Sequence, residues 1–182
     1  ATLEASSQVE AYSDYLADDL PAGMNIRTLD AWEFEGPTLI SHLESIQSHI
    51  EQGMTHGEFP ILLGGEHGLL LPALKACVAG GVLESLNDLT LVQIDAHADL
   101  RDELNGERFS HGTVVRRCLD EGLSRAIQIG IRAYSSDEAR MIESDDRIIA
   151  WRAREIQEDE QTVLSILDCL TNISGPVWLS ID

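Results

Sequence analysis

Leu89-Thr90-Leu91-Val92-Gln93-Ile94-Asp95-Ala96-His97-Ala98-Asp99 is the stretch on which the fold turns. Leu89–Ile94 reads as a buried strand, and it runs straight into two carboxylates and an imidazole separated by alanines. In an extended chain, residues at i, i+2 and i+4 point the same way. Asp95, His97 and Asp99 are therefore expected to converge on one point beyond the strand. Solvated turn acids are the alternative, but the small alanines and the shared direction of three polar groups weigh against it.

Working outward, helical period alternates with short β-rich runs. Val9, Tyr12, Leu16 and Leu20 share a helical face, opened by a capping-box pattern of Ser7 and Glu10 and stopped at Pro21-Ala22-Gly23. An extended piece around Ile26–Leu29 follows. Leu39, Leu43, Ile46 and Ile50 predict a second helix ending at Gly53, and Phe59–Leu63 a buried strand. Beyond them the pattern predicts helices over Leu69–Val78, Thr113–Leu119 and Glu160–Leu170, and one opened by Ser135 and Glu138 that runs to about Ile142. Ile127–Ile131, Arg147–Trp151 and Val177–Ile181 are the remaining strands. Strands apolar on both faces, separated by helices, indicate an α/β fold with a mostly parallel sheet covered on both sides. No internal repeat, low-complexity tract or linker interrupts residues 1–182, which read as one domain. The start at Ala1 without Met and the stop at Asp182, at a strand's carboxyl end, suggest a domain truncated at both ends.

The chain has 182 residues, 43% hydrophobic and 24% charged, enough to bury a core. Its formal net charge is −20, from 32 acids against 12 cations, and Lys75 is the only lysine. Such a surface repels nucleic-acid phosphate and anionic lipid, so neither nucleic acid nor membrane is an expected partner. Attraction of cationic small molecules and plain solubility in a salt-rich cytoplasm both remain compatible with it. Cys77, Cys118 and Cys169 are widely spaced, odd in number and without a Cys-x-x-Cys pair. They read as small buried residues in a reducing compartment. No secretion signal or bilayer-length apolar run occurs, and a cytoplasmic location is expected.

Other strand ends add to the Asp95 cluster. Phe59–Leu63 opens into Gly64-Gly65-Glu66-His67-Gly68, where glycines permit a tight turn and close backbone approach, and Val177–Ile181 ends in Asp182. In open α/β sheets, ligands bind beyond the carboxyl ends of the strands. Three carboxylates and two imidazoles without thiolate suit a hard divalent ion, Mn²⁺ first, with Fe²⁺, Co²⁺, Ni²⁺ and Zn²⁺ open. Five side chains exceed the needs of one open site, so a pair of ions about 3.5–4 Å apart is expected, with a bridging hydroxide as nucleophile.

Gly64-Gly65-Glu66-His67, Asp95-Ala96-His97-Ala98-Asp99, Ser110-His111-Gly112 and Ser180-Ile181-Asp182, in this order, resemble the ureohydrolase family of arginase and agmatinase. The resemblance is clear from Phe59 to Asp182 and weaker before. It implies a three-layer α/β/α fold and two Mn²⁺ per subunit, with Asp95 and Asp182 bridging, His67 and Asp99 completing one ion and His97 the other. It also implies that His111, fourteen residues after His97, protonates the departing amine; the competing reading is an ordinary helix start capped by Ser110.

The loop Leu100–Phe109 looks like that of microbial agmatinases and lacks the Ser-Gly-Asn stretch with which arginases hold an α-amino acid. Gln128-Ile129-Gly130-Ile131-Arg132 is also agmatinase-like. Agmatine, hydrolysed to putrescine and urea, is the expected substrate, with arginine, guanidinobutyrate and formiminoglutamate open. A catalytically silent metal-binding scaffold is the reading from another class. Arg101, Asp102, Glu107 and Arg108 are expected to form surface ion pairs. Gly68 departs from the Ser or Thr usual in the family. A second aspartate and a guanidinium-holding acid would lie beyond Asp182, so residues 1–182 alone are expected to bind metal poorly and to be inactive. Relatives often form trimers or hexamers, implying a homo-oligomer.

Overall fold

The protein is described from a computed structural model, covering residues 12–15, 17–19, 27–34, 36–54 and 58–182. The chain divides into two compact units, Ala1–Ala31 and Trp32–Asp182.

In the first unit, β1 (Tyr12–Ser13) pairs antiparallel with β2 (Asp18–Asp19), Tyr12 opposite Asp19. The helix expected from Val9, Tyr12, Leu16 and Leu20 is thus corrected to a hairpin at Tyr12. Val9, Leu16, Leu20 and the Ser7–Glu10 box lie outside the described residues. Ser13-Asp14 carries short polar side chains that compete for backbone hydrogen bonds and favour turns, and Ala17 turns the chain at φ 53°.

The second unit is built on a parallel sheet of order β5-β4-β3-β6, where β3 is Thr90–Ile94, β4 Arg125–Ile131, β5 Ile148–Arg152 and β6 Val177–Ile181. The flanking helices are α1 (Leu39–Gly53), α2 (Leu70–Ala79), α3 (Val114–Asp120), α4 (Ser136–Ser144), α5 (Ala153–Glu158) and α6 (Glu160–Thr171). All four strands after residue 89, the five helices expected after residue 38 and the Ser135–Glu138 capping box are present; α5 had no sequence signal long enough to register. Leu74, Leu89, Leu91, Val115, Cys118 and Leu123 are fully enclosed and make the core between β3, β4, α2 and α3. About 1.5–3 kcal/mol per large apolar side chain is the driving term there.

Phe59–Leu63 is not a paired strand. Its residues form no ladder, and Phe59, Ile61 and Leu63 are exposed. Their period-2 exposure fits an extended segment, but without a neighbouring strand no backbone ladder can form. β6 is likewise an edge strand with Val177, Leu179 and Ile181 exposed, so it is not buried on both faces as its apolar run suggested. Of the expected extended piece around Ile26–Leu29, residues 27–29 carry no strand pairing and Ile26 lies outside the described residues. Cys77 and Cys118 are buried, whereas Cys169 is only partly so; all three are free thiols. No helix among the described residues is long and apolar enough to cross a membrane.

Candidate metal centre

Register places two of the acids side by side. β3 pairs with β6 so that Ile94 lies opposite Ile181, and the next residues are Asp95 and Asp182. The Asp182 N–H donates to the Ile94 carbonyl at 3.0 Å, and the Asp95 N–H to the Ile129 carbonyl of β4 at 3.1 Å. At Gly130 the ladder between β4 and β5 bulges: its φ is +94°, and a Cβ there would sit 3.2 Å from the Asp95 carbonyl oxygen. Only glycine lets β4 approach this closely.

His67 arrives from a separate segment. Gly64 turns tightly against Leu69, whose side chain occupies the space a Cβ would need, while Gly65 faces open space. The turn leads into a short 3₁₀ helix, His67–Leu69, which starts α2. His67 Nδ1 then lies 2.7 Å from Asp99 Oδ2, 3.5 Å from Asp95 Oδ2 and 3.8 Å from Asp182 Oδ2. Its other nitrogen, Nε2, is 2.9 Å from Ser180 Oγ. Ligand atoms of His67, Asp95 and Asp182 all fall within 4.8 Å of one another.

The stretch 95–99 is not extended as the i, i+2, i+4 argument required. Asp95 Oδ1 accepts the His97 backbone N–H at 2.8 Å, bending the chain, and Asp99 sits at φ 54° in the left-handed region. Asp95 and Asp99 are turned inward and buried; His97 is turned outward, its side chain 62% exposed, with Nδ1 3.4 Å from the same Asp95 Oδ1. So His67, Asp95, Asp99 and Asp182 share one focus, and His97 flanks Asp95 on its other side. A non-glycine residue held left-handed is strained, which is characteristic of functional sites.

Three carboxylate oxygens around one imidazole nitrogen is more negative charge than a single proton can balance. Burial opposes charge on His67, yet the Asp99 hydrogen bond and the Asp99, Asp95 and Asp182 charges outweigh it and hold the imidazole pKa above its ordinary value. Burial also raises the Asp99 carboxyl, a rise that the His67 hydrogen bond only partly offsets. The donor set, oxygen and nitrogen without sulfur, fits a divalent ion of the manganese class.

Two groups of residues missed by the sequence reading support this cluster. Ser180 Oγ faces His67 Nε2, which leaves Nδ1 directed at the acids. Gln93 and Gln128 are register partners on β3 and β4 and fully buried. Gln128 Nε2 donates to Gln93 Oε1 at 2.7 Å and to the Ala98 carbonyl at 2.7 Å, and Gln93 Nε2 donates to Asp95 Oδ2 at 2.8 Å. Two buried glutamines in neighbouring strands, directly before the cluster, were the available signal.

His111 opens a 3₁₀ turn before α3. Ser110 is the N-cap residue of this turn, but its Oγ is buried without a hydrogen-bond partner, and Thr113 Oγ1 accepts the Ser110 N–H. The His111 backbone N–H is taken by Glu66 Oε1. In the loop between, Asp102 meets Arg117 at 2.8 Å, and Arg117 is buried, so this is more than a surface pair. Arg101 lies 3.5 Å from buried Glu138, which also accepts the Leu100 N–H.

The sequence matches the arginase family across residues 1–182. The chain belongs to the arginase family. It is 31% identical over 186 residues to the N(1)-aminopropylagmatine ureohydrolase of Synechocystis sp., covering 100% of this chain and 58% of that protein. It is 30% identical over 182 residues to the agmatinase of Bacillus subtilis, covering 98% and 58%. Among solved structures, the agmatine ureohydrolase of Thermoplasma volcanium superposes with a TM-score of 0.72 at 27% identity, over 98% of this chain and 57% of that one. This arginase-family chain therefore spans little more than half the length of these relatives, and its parallel sheet with flanking helices is theirs.

Proposed function

We propose that the protein is a manganese-dependent amidinohydrolase that converts agmatine and water to putrescine and urea. The observation that carries this reading is the convergence of Asp95, Asp99 and Asp182 on His67 Nδ1. His67, Asp95, Asp99 and Asp182 would hold the ions, with His97 completing the set from the far side of Asp95. When bound, a pair of divalent ions supplies water activated for attack at neutral pH. The chain's residues do the rest. Asp95, buried and fixed by Gln93 and by the His97 N–H, is held rigidly between its neighbours. His111 carries a proton to the departing amine nitrogen, which is a poor leaving group until protonated.

Agmatine is favoured by the Leu100–Phe109 and Gln128–Arg132 segments and by relatives named for agmatine and its aminopropyl derivative. The reading includes a homo-oligomer and a cytoplasmic location, the latter supported by three free thiols. The test is urea release by the full-length protein with Mn²⁺ on agmatine, N(1)-aminopropylagmatine and arginine. Preference for agmatine is expected. Urea from none of these or from any other guanidino or formimino compound contradicts hydrolase activity and leaves the metal-binding scaffold.

A further inference from the structure

We propose that Glu66 is a positioning residue for His111, fixing the tautomer and orientation of its ring so that Nε2 is the nitrogen that exchanges a proton with substrate. This rests on the proton-carrying role given to His111 above.

One carboxylate oxygen, Glu66 Oε1, receives two bonds from a residue 45 positions away: the His111 backbone N–H at 2.8 Å and the ring Nδ1 at 3.0 Å. An ionised carboxylate has no proton to give, so Nδ1 must carry the hydrogen and Nε2 the lone pair. The two bonds to one oxygen fix both the turn that bears His111 and the rotation of its ring. The Ser110 hydroxyl makes no hydrogen bond and Thr113 Oγ1 takes the Ser110 N–H, so the His111 N–H is left to Glu66.

The sequence around Glu66 is shaped to permit this reach. A Cβ at Gly68 would stand 3.3 Å from Glu66 Oε1 and 3.5 Å from its Cδ, so a side chain there would press on the carboxylate. Glycine at 68 and glutamate at 66 thus belong to one arrangement. Stability does not account for it, since both side chains are more than half exposed, and exposed pairs add little. Glu66 also adjoins His67, so the orientation of the proton-carrying ring is tied to the segment that enters the metal cluster.

The experiment compares wild type, Glu66→Ala and Glu66→Gln in the full-length protein. Urea-release kinetics and bound Mn²⁺ are measured together with ¹⁵N chemical shifts of the His111 ring in metal-free protein at a pH where the ring is neutral. Glu66→Ala is expected to lower kcat by about 10- to 100-fold with KM and metal content retained. Glu66→Gln recovers most of that loss, because its amide oxygen still accepts both bonds. The ring proton should sit on Nδ1 in wild type and leave it in Glu66→Ala. An unchanged kcat in Glu66→Ala, or a wild-type ring protonated on Nε2, overturns the proposal. Wild-type protein that releases no urea contradicts the hydrolase reading instead, and the ring tautomer is read independently of turnover.

Discussion

His67 Nδ1 and Asp99 Oδ2 stand 2.7 Å apart, joining two turns 32 residues distant in the chain. One turn is the glycine pair before α2, the other the left-handed bend after β3. Neither turn alone presents more than part of a binding site. Their contact brings an imidazole from the turn before α2 onto acids that follow β3, and Asp182, at the end of β6, joins through its register with β3.

Asp99→Asn should separate charge from conformation. Asparagine tolerates the left-handed backbone that Asp99 adopts at φ 54°, so the fold is expected to persist. Mn²⁺ affinity, measured by calorimetry, should fall at least about tenfold because His67 and the ion lose a carboxylate neighbour. Circular dichroism checks the fold. Wild-type affinity in this variant would place the metal elsewhere.

Gln93→Leu removes the donor to Asp95 Oδ2 and leaves the Gln128 amide with the Ala98 carbonyl as its remaining acceptor. Loss of a buried hydrogen bond predicts a destabilisation of about 1–3 kcal/mol in urea unfolding. Disorienting a ligand predicts Mn²⁺ binding weakened by about 10- to 100-fold. Unaltered metal binding in a destabilised variant would make the glutamine pair purely a matter of packing.

Burial pushes the Cys118 thiol up to about 12 and the Cys77 thiol up to about 11. Folding therefore favours the protonated thiols. Their contribution is fully present below the unfolded-state value of about 8.5 and is lost as pH rises from there toward the folded-state values. Native protein at mildly alkaline pH should expose only Cys169 to a thiol reagent, and denaturant should release the other two. Fast labelling of Cys118 in native protein would contradict its burial.

The parallel sheet was legible because β3, β4 and β6 are short β-rich runs bounded by turn residues, with helical period between them. Phe59–Leu63 carries the same signal, yet apolar pattern reports what a segment is able to bury, not whether a partner strand lies beside it. Tyr12 misled for a related reason: a helical repeat of four residues says nothing about Ser13-Asp14 preferring a turn. At the site, residue type and chain position pointed to five candidate ligands, of which His67, Asp95, Asp99 and Asp182 come together while His97 lies beside Asp95. Their directions were not legible, because alternation assumes an extended chain, and the Asp95–His97 backbone bond and the left-handed Asp99 bend it. Glu66 and Ser180 stood inside quoted motifs, but their roles depend on contacts spanning 45 and 113 residues.

The most direct test of the central claim is a crystal structure of the Mn²⁺-loaded full-length protein with an anomalous difference map at the manganese edge. Two peaks about 3.5–4 Å apart, bounded by His67, Asp95, His97, Asp99 and Asp182, are predicted. A map with no peak among these five residues, or with manganese bound only elsewhere, would contradict the account.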